Sequence, residues 1–203
     1  MSLYPTLTEA EFVNINLGIE QAVLKSNFEE RGKIQVKRKW LYPRRAVSLS
    51  YGSVTNAEIR TLEQFWINRN GEYSIFTFIM PDTEISDYEG EYISTADGVI
   101  DFFNIPTKAA TDVVIYGDGG EYTQVADATS AGDYILTESG GTDGVDLIEF
   151  IDIPPVGTIL TADFTGPLAI RCRFAGPIQY SRTRASISVN DISVNLSGTL
   201  MDE

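Results

Sequence analysis

Only one stretch of this sequence repeats its apolar residues at the spacing an amphipathic helix needs, and that scarcity sets the fold class. Thr55-Asn56-Ala57-Glu58 is a capping-box pattern, in which the Thr55 hydroxyl and the Glu58 carboxylate each satisfy a backbone N–H left open in the first turn. Ile59, Leu62, Phe65 and Trp66 then fall on one side, and Asn70-Gly71 supplies a left-handed stop, so a helix is predicted over about 55–70. Everywhere else apolar residues alternate with polar ones or come in short runs between turns, which is strand patterning. A chain of 203 residues can bury a core without disulfide staples. The expectation is a mainly β protein with one flanking helix.

Before the helix, Gly18 to Leu24, Ile34 to Leu41 and Arg45 to Tyr51 read as successive strands, the last two joined at Tyr42-Pro43. An antiparallel sheet is their simplest product. Alternation puts Ile34, Val36, Arg38 and Trp40 on one face and Lys33, Gln35, Lys37 and Lys39 on the other, a core side and a lysine stripe. After the helix, Tyr73 to Met80 is apolar on both faces, as in a strand buried on two sides.

Past Pro81 the composition changes. Residues 81–163 hold eighteen acidic residues and one basic residue, Lys108, whereas 31–57 hold seven basic and no acidic residues. Asp97-Gly98, Asp118-Gly119-Gly120 and Asp143-Gly144 punctuate apolar runs at Val113 to Tyr116, Tyr134 to Leu136, Leu147 to Ile151 and Ile159 to Phe164, which are hairpin signals. Two-faced patterning resumes at Leu168, Ile170, Cys172 and Phe174, with Arg171 and Arg173 between them. In the last strands the apolar phase slips from Ile187 and Val189 to Ile192, Val194 and Leu196, which a β-bulge at Asn190-Asp191 would absorb. Residues 81–163 thus read as an acidic β domain inserted into a discontinuous β domain of 1–80 plus 164–203.

Chemistry is restricted from the start by the absence of histidine, which removes Ser-His-Asp and Cys-His nucleophile systems and every zinc site with a His ligand. Cys172 is the only cysteine, so no internal disulfide or CxxC pair exists. It shares a face with Ile170 and Phe174 and reads as a buried, inert thiol. A net charge of -14 and a pI near 4.3 disfavour specific nucleic-acid binding. No run approaches the roughly 20 apolar residues of a spanning helix, so no membrane insertion is expected.

The remaining motifs are bland. Gly117-Asp118-Gly119-Gly120 lacks the GK[ST] ending of a phosphate loop, and the Asp-Gly turns lack the spacing of a calcium loop. Eighteen carboxylates make a glycosidase-like pair easy to find and therefore uninformative. No catalytic residue, cofactor or metal is expected. Two sets of contact residues stand out. The basic residues Lys33, Lys37, Lys39, Arg44 and Arg45 suit a neighbouring subunit or an acidic protein partner. The five tyrosines of the insertion, Tyr88, Tyr92, Tyr116, Tyr122 and Tyr134, would stack on sugar rings if the insertion bound a glycan.

Beyond these residue-level readings, the order of several segments carries a resemblance. Val36-Lys37-Arg38-Lys39-Trp40, Val47 to Tyr51, Leu62-Glu63-Gln64-Phe65-Trp66, Arg69-Asn70-Gly71 and Phe76-Thr77-Phe78 come first. Phe102-Phe103-Asn104-Ile105-Pro106, Pro155-Val156-Gly157-Thr158-Ile159-Leu160-Thr161-Ala162-Asp163-Phe164 and Arg171-Cys172-Arg173-Phe174 follow. Together they resemble the distal tail proteins of the tail tip in long-tailed bacteriophages and gene transfer agents. The resemblance implies a β-sandwich related to the tail-tube fold, with one flanking helix and an outward-facing inserted β domain. It implies a non-catalytic structural role in the virion tail tip, assembled in the bacterial host cytoplasm. The partners it implies are copies of itself in a ring, six-fold in the family, with the tail-tube protein on one side and the baseplate hub on the other. The alternative is a carbohydrate- or receptor-binding tail module that uses the insertion's tyrosines.

Overall fold

The computed structural model describes residues 3–7, 11–20, 23–28, 33–38, 44–81, 86–118, 120–128, 131–182 and 190–199. Along the chain run β1 (Glu11–Glu20), β2 (Val23–Phe28), β3 (Lys33–Arg38), β4 (Arg44–Val54), α1 (Asn56–Asn68), β5 (Phe76–Ile79), β6 (Ser86–Thr95), β7 (Phe102–Asn104) and β8 (Thr111–Gly117). They are followed by β9 (Gly120–Tyr122), β10 (Gln124–Val125), β11 (Tyr134–Thr137), β12 (Leu147–Phe150), β13 (Ile159–Gly166), β14 (Ala169–Phe174), β15 (Gln179–Arg182) and β16 (Asn190–Gly198). The protein is mainly β, with one α-helix among the described residues, as the patterning predicts. It divides into two compact units: Met1–Tyr4, Ile75–Cys172 and Thr199–Glu203 in the first, Pro5–Ser74 and Arg173–Gly198 in the second. The segment 81–163 lies inside the first unit, which also takes in 75–80 and 164–172.

In the second unit β4 is the central strand. It pairs antiparallel with β1 on one side and with β16 on the other, so the first and last described strands flank it. Val47, Leu49 and Tyr51 lie opposite Leu196, Val194 and Ile192 in register, and all six are buried. The bulge expected at Asn190-Asp191 is not on β16: Asn190 to Ser193 pair with β15 without interruption, and what occurs there is a register shift against β4 between Asn190 and Ile192. The extra residue sits on β4, near Ser53 with its φ of 57°. Among the described residues β3 pairs with β2, not with β4, so the strands read from the sequence do not form one antiparallel sheet and β2-β3 is a pair of its own. Ile187, Val189 and Lys39 lie outside the described residues.

Helix α1 begins as its capping box dictates. The Glu58 N–H donates to Thr55 Oγ1 at 3.4 Å, and the Thr55 N–H donates to the Glu58 carboxylate at 3.0 Å. Leu62 is fully buried, and the Phe65 ring meets Phe174 edge-on at 6.0 Å. The helix stops where Asn70 and Gly71 turn left-handed, at φ of 54° and 64°. A β-carbon on Gly71 would sit 2.9 Å from the Trp66 ring, so glycine serves both the conformation and the close approach.

The first unit holds two four-stranded sheets, β10-β11-β12-β7 and β6-β13-β8-β9, together with β5 paired to Ala169–Cys172 of β14. Their inner residues interlock. The Tyr122 ring meets Phe150 at 5.0 Å, and the Tyr134 hydroxyl donates to the Val113 carbonyl at 3.2 Å. Phe76 and Phe78 on β5 are buried beneath the Tyr4 ring, which lies 5.9 and 5.5 Å from them. Of the Asp-Gly hairpin signals, Asp143 and Gly144, at φ of 61° and 77° in a 3-10 turn, do connect the antiparallel β11 and β12, whereas Gly98, at φ of 74°, turns the chain between β6 and β7, which lie in different sheets.

One buried carboxylate ties these loops together. Asp146 is inaccessible to solvent, and its two oxygens accept from the N–H groups of Ala109, Ala110 and Ser139 at 2.8, 2.9 and 2.7 Å. Its own N–H and C=O bond to Thr107 and Ile105. An acidic residue in the core therefore acts as a structural anchor, its lone pairs satisfied by backbone donors.

Candidate functional site

The five tyrosines divide between two environments. Tyr134 is 1% exposed and lies opposite Phe150, part of the core. Tyr122 lies opposite the buried Ile115 and packs on Phe150, and Tyr88 lies opposite Phe164 with ring centroids 5.2 Å apart. Cross-strand register puts these three with core residues; on β6 a register shift between Tyr88 and Glu91 separates Tyr88 from Tyr92, which plain alternation would place on the same face.

Tyr92 and Tyr116 are out of phase with that set. On β13, Thr161 is opposite Tyr92 of β6 on one side and Tyr116 of β8 on the other, and Tyr116 is opposite Glu121 of β9. The four form a row across the sheet, none of them buried. Two strand spacings put the tyrosine backbones about 9.5 Å apart. Asp163, two residues along β13, shares the face; its carboxylate accepts from the Gly90 N–H at 2.6 Å and is hydrogen-bonded to Tyr116. Burial, then the nearby Asp163 and Glu121 charges, raise the Tyr116 hydroxyl above the usual tyrosine range. The Tyr92 hydroxyl lies 3.1 Å from Thr95 Oγ1. Two half-exposed aromatic rings flanked by carboxylates can stack on a sugar and accept from its hydroxyls.

The basic set is divided as well. Lys33 and Lys37 occupy β3, opposite Phe28 and Leu24, whereas Arg44 and Arg45 open β4, half-buried and opposite Glu20 and Ile19 of β1. The stripe drawn from the sequence therefore spans two strand pairs.

Nucleophile and metal chemistry find little here. Cys172 is fully buried, its Sγ 3.7 Å from the Phe76 carbonyl, and burial pushes the thiol far above its usual range. No cluster of three or more Cys, Asp or Glu residues able to hold a metal occurs among the described residues. No helix among them is long and apolar enough to cross a membrane.

No protein-family model matches the chain, and no curated protein matches it.

Proposed function

We propose that the chain is a structural, non-catalytic subunit of a phage-type tail tip, a distal tail protein that forms a ring between the tail tube and the baseplate hub. The observation that supports the reading is β4 held between β1 and β16, with the capped helix α1 following it in the chain and packing Phe65 on Phe174. A framework that joins the first described strand to the last leaves much of the intervening chain to the other compact unit, the organisation the segment order resembles. The basic residues of β3 and β4 then orient neighbouring subunits, and apolar surface supplies most of the affinity. Electron-microscopic reconstruction of a tail containing this protein tests the proposal. The expected result is a closed ring of copies around the tail axis, six in number. A single copy, or a peripheral fibre, would overturn it.

A second reading, a carbohydrate- or receptor-binding tail module, is favoured by the Tyr92–Thr161–Tyr116–Glu121 row. Glycan-array binding lost in both Tyr92→Ala and Tyr116→Ala but kept in Tyr88→Ala would support it. An array with no bound glycan would remove it.

A further inference from the structure

The first unit carries an apolar lobe that its own core does not use. Val99, Ile100 and Phe102 lie on one segment and Ile151, Ile153 and Val156 on another; all six are exposed, Val99 and Val156 by 74% and 78%. The two segments run side by side. The Phe150 N–H donates to the Asp101 carbonyl, the Gly157 N–H to Ala96 and the Ala96 N–H to Thr158, and a β-carbon on Gly98 would sit 3.4 Å from Val156. The lobe is braced: the Asp97 carboxylate accepts from the N–H groups of Val99 and Ile100 at 2.8 and 2.9 Å, and Pro154 and Pro155 restrict the opposite segment. Apolar side chains held on a braced backbone lose little freedom on docking, which is the condition for an effective contact surface. Large apolar clusters of this kind on a protein surface mark interaction sites.

The second unit carries a concave counterpart. Glu63, Trp66 and Ile67 of α1, with Pro177, Ile178 and Tyr180, line an open groove of about 280 Å³. Ile67 and Tyr180 are both more than half exposed. The charges of the two units are opposite. The first unit has 20 acidic and 2 basic residues, and the second has 9 acidic and 13 basic. At the lobe itself, residues 97–102 and 151–159 contain Asp97, Asp101 and Asp152 and no basic residue. At the groove, Glu63 is offset by Arg60, exposed one turn earlier on the same helix.

We propose that the lobe of one molecule seats in the groove of a second copy of this chain. The proposal rests on the ring reading for a second copy as occupant, and it adds the two surfaces that meet. A knob on one unit and a groove on the other, the two units being of opposite net charge, make a heterologous head-to-tail contact, which closes into a ring when its rotation allows. Burial of Val99, Phe102 and Val156 against Trp66 and Tyr180 supplies the affinity, and the charge difference selects the orientation.

The test uses the full chain in two differently tagged forms, one Val156→Cys and the other Ile67→Cys, with the buried Cys172 left in place. Mixed and oxidised at high protein concentration, they are expected to give a cross-linked product carrying both tags. Val156→Cys mixed with Thr61→Cys, on the opposite side of the helix, is expected to give several-fold less. Val99→Asp with Val156→Asp, both at exposed positions, is expected to weaken self-association measured by sedimentation by about tenfold or more while leaving the denaturation midpoint unchanged. Equal cross-linking at 67 and 61, no cross-link at any concentration, or unchanged self-association in the double Asp variant would each overturn the lobe-and-groove contact. If tails nevertheless show a ring, the ring reading stands and only this interface falls. If tails show a single copy, the ring reading falls whatever the cross-links give.

Discussion

The Ala110 N–H donates to the buried Asp146 carboxylate at 2.9 Å although 36 residues separate the two. With Ala109 and Ser139 bonded to the same group, Asp146→Ala leaves three backbone donors without their acceptor. The expected loss is about 3 kcal/mol, since each unsatisfied buried donor costs on the order of 1 kcal/mol or more. Asp146→Asn keeps the shape and part of the acceptor capacity and is expected to lose less. Urea midpoints for the two variants check the order; equal, negligible losses would contradict the anchoring role.

For the helix, Thr55→Ala removes the side-chain cap and is expected to cost about 1 kcal/mol. Leu62→Ala opens a cavity at a fully buried site and is expected to cost about 2–5 kcal/mol. Trp66 is only half-buried and lines the groove, so Trp66→Ala is expected to fall below Leu62→Ala. Guanidinium denaturation of the three variants measures the ranking.

Alkaline pH should destabilise the fold through Tyr134. Burial pushes its hydroxyl from 10.0 up to about 12. Between those values the unfolded chain has released a proton that the folded chain still holds. The unfolded state therefore binds fewer protons, and stability falls as pH rises from about 10 to about 12, by on the order of 3 kcal/mol for this group. Below about pH 10 the group contributes no such slope. Tyr134→Phe is expected to flatten that part of the profile, at the cost of the hydrogen bond to Val113. Urea unfolding across this pH range reads the slope directly.

Cys172 provides a probe of opening. Its thiol is fully buried and its pKa is raised by burial, so a thiol reagent at neutral pH should label it only when the fold opens. The expected labelling rate follows global unfolding and rises steeply with denaturant. Rapid stoichiometric labelling of the native protein would show that the strand around Cys172 opens locally.

The legible features were the ones governed by local chemistry. Thr55, Glu58, Asn70 and Gly71 specify their helix ends through bonds made within a few residues, and Asp143-Gly144 specifies a turn through backbone conformation alone. The slip in apolar phase before Ile192 pointed to a bulge at Asn190-Asp191, whereas the extra residue of the register shift there is on the partner strand β4, which a pattern along one strand does not show. Partner choice was not legible: nothing in Ile34 to Arg38 states that it pairs with β2 instead of β4, because either antiparallel neighbour satisfies the same backbone groups. The tyrosines were ambiguous for a related reason. Tyr116 and Tyr122 lie in short strands, and only cross-strand register puts one beside Thr161 and the other on Phe150. The apolar lobe did leave a signal, in Val99-Ile100 and in Ile151, Ile153 and Val156 beside turn residues. In one dimension that signal is indistinguishable from the buried strand ends next to it.

The bulge between Phe12 and Asn14 of β1 has a consequence for the exposed edge of the sheet. Among the described residues β1 pairs only with β4, so its other side offers backbone groups along a ten-residue strand. A straight strand of that length is a template for indiscriminate pairing between chains, and it is most hazardous when many copies accumulate in one place. The irregularity at Val13 breaks the even spacing of those groups and increases the local twist, so a stray strand cannot zip along the whole length. Straightening β1 by deleting Val13 would therefore be felt first as precipitation during expression.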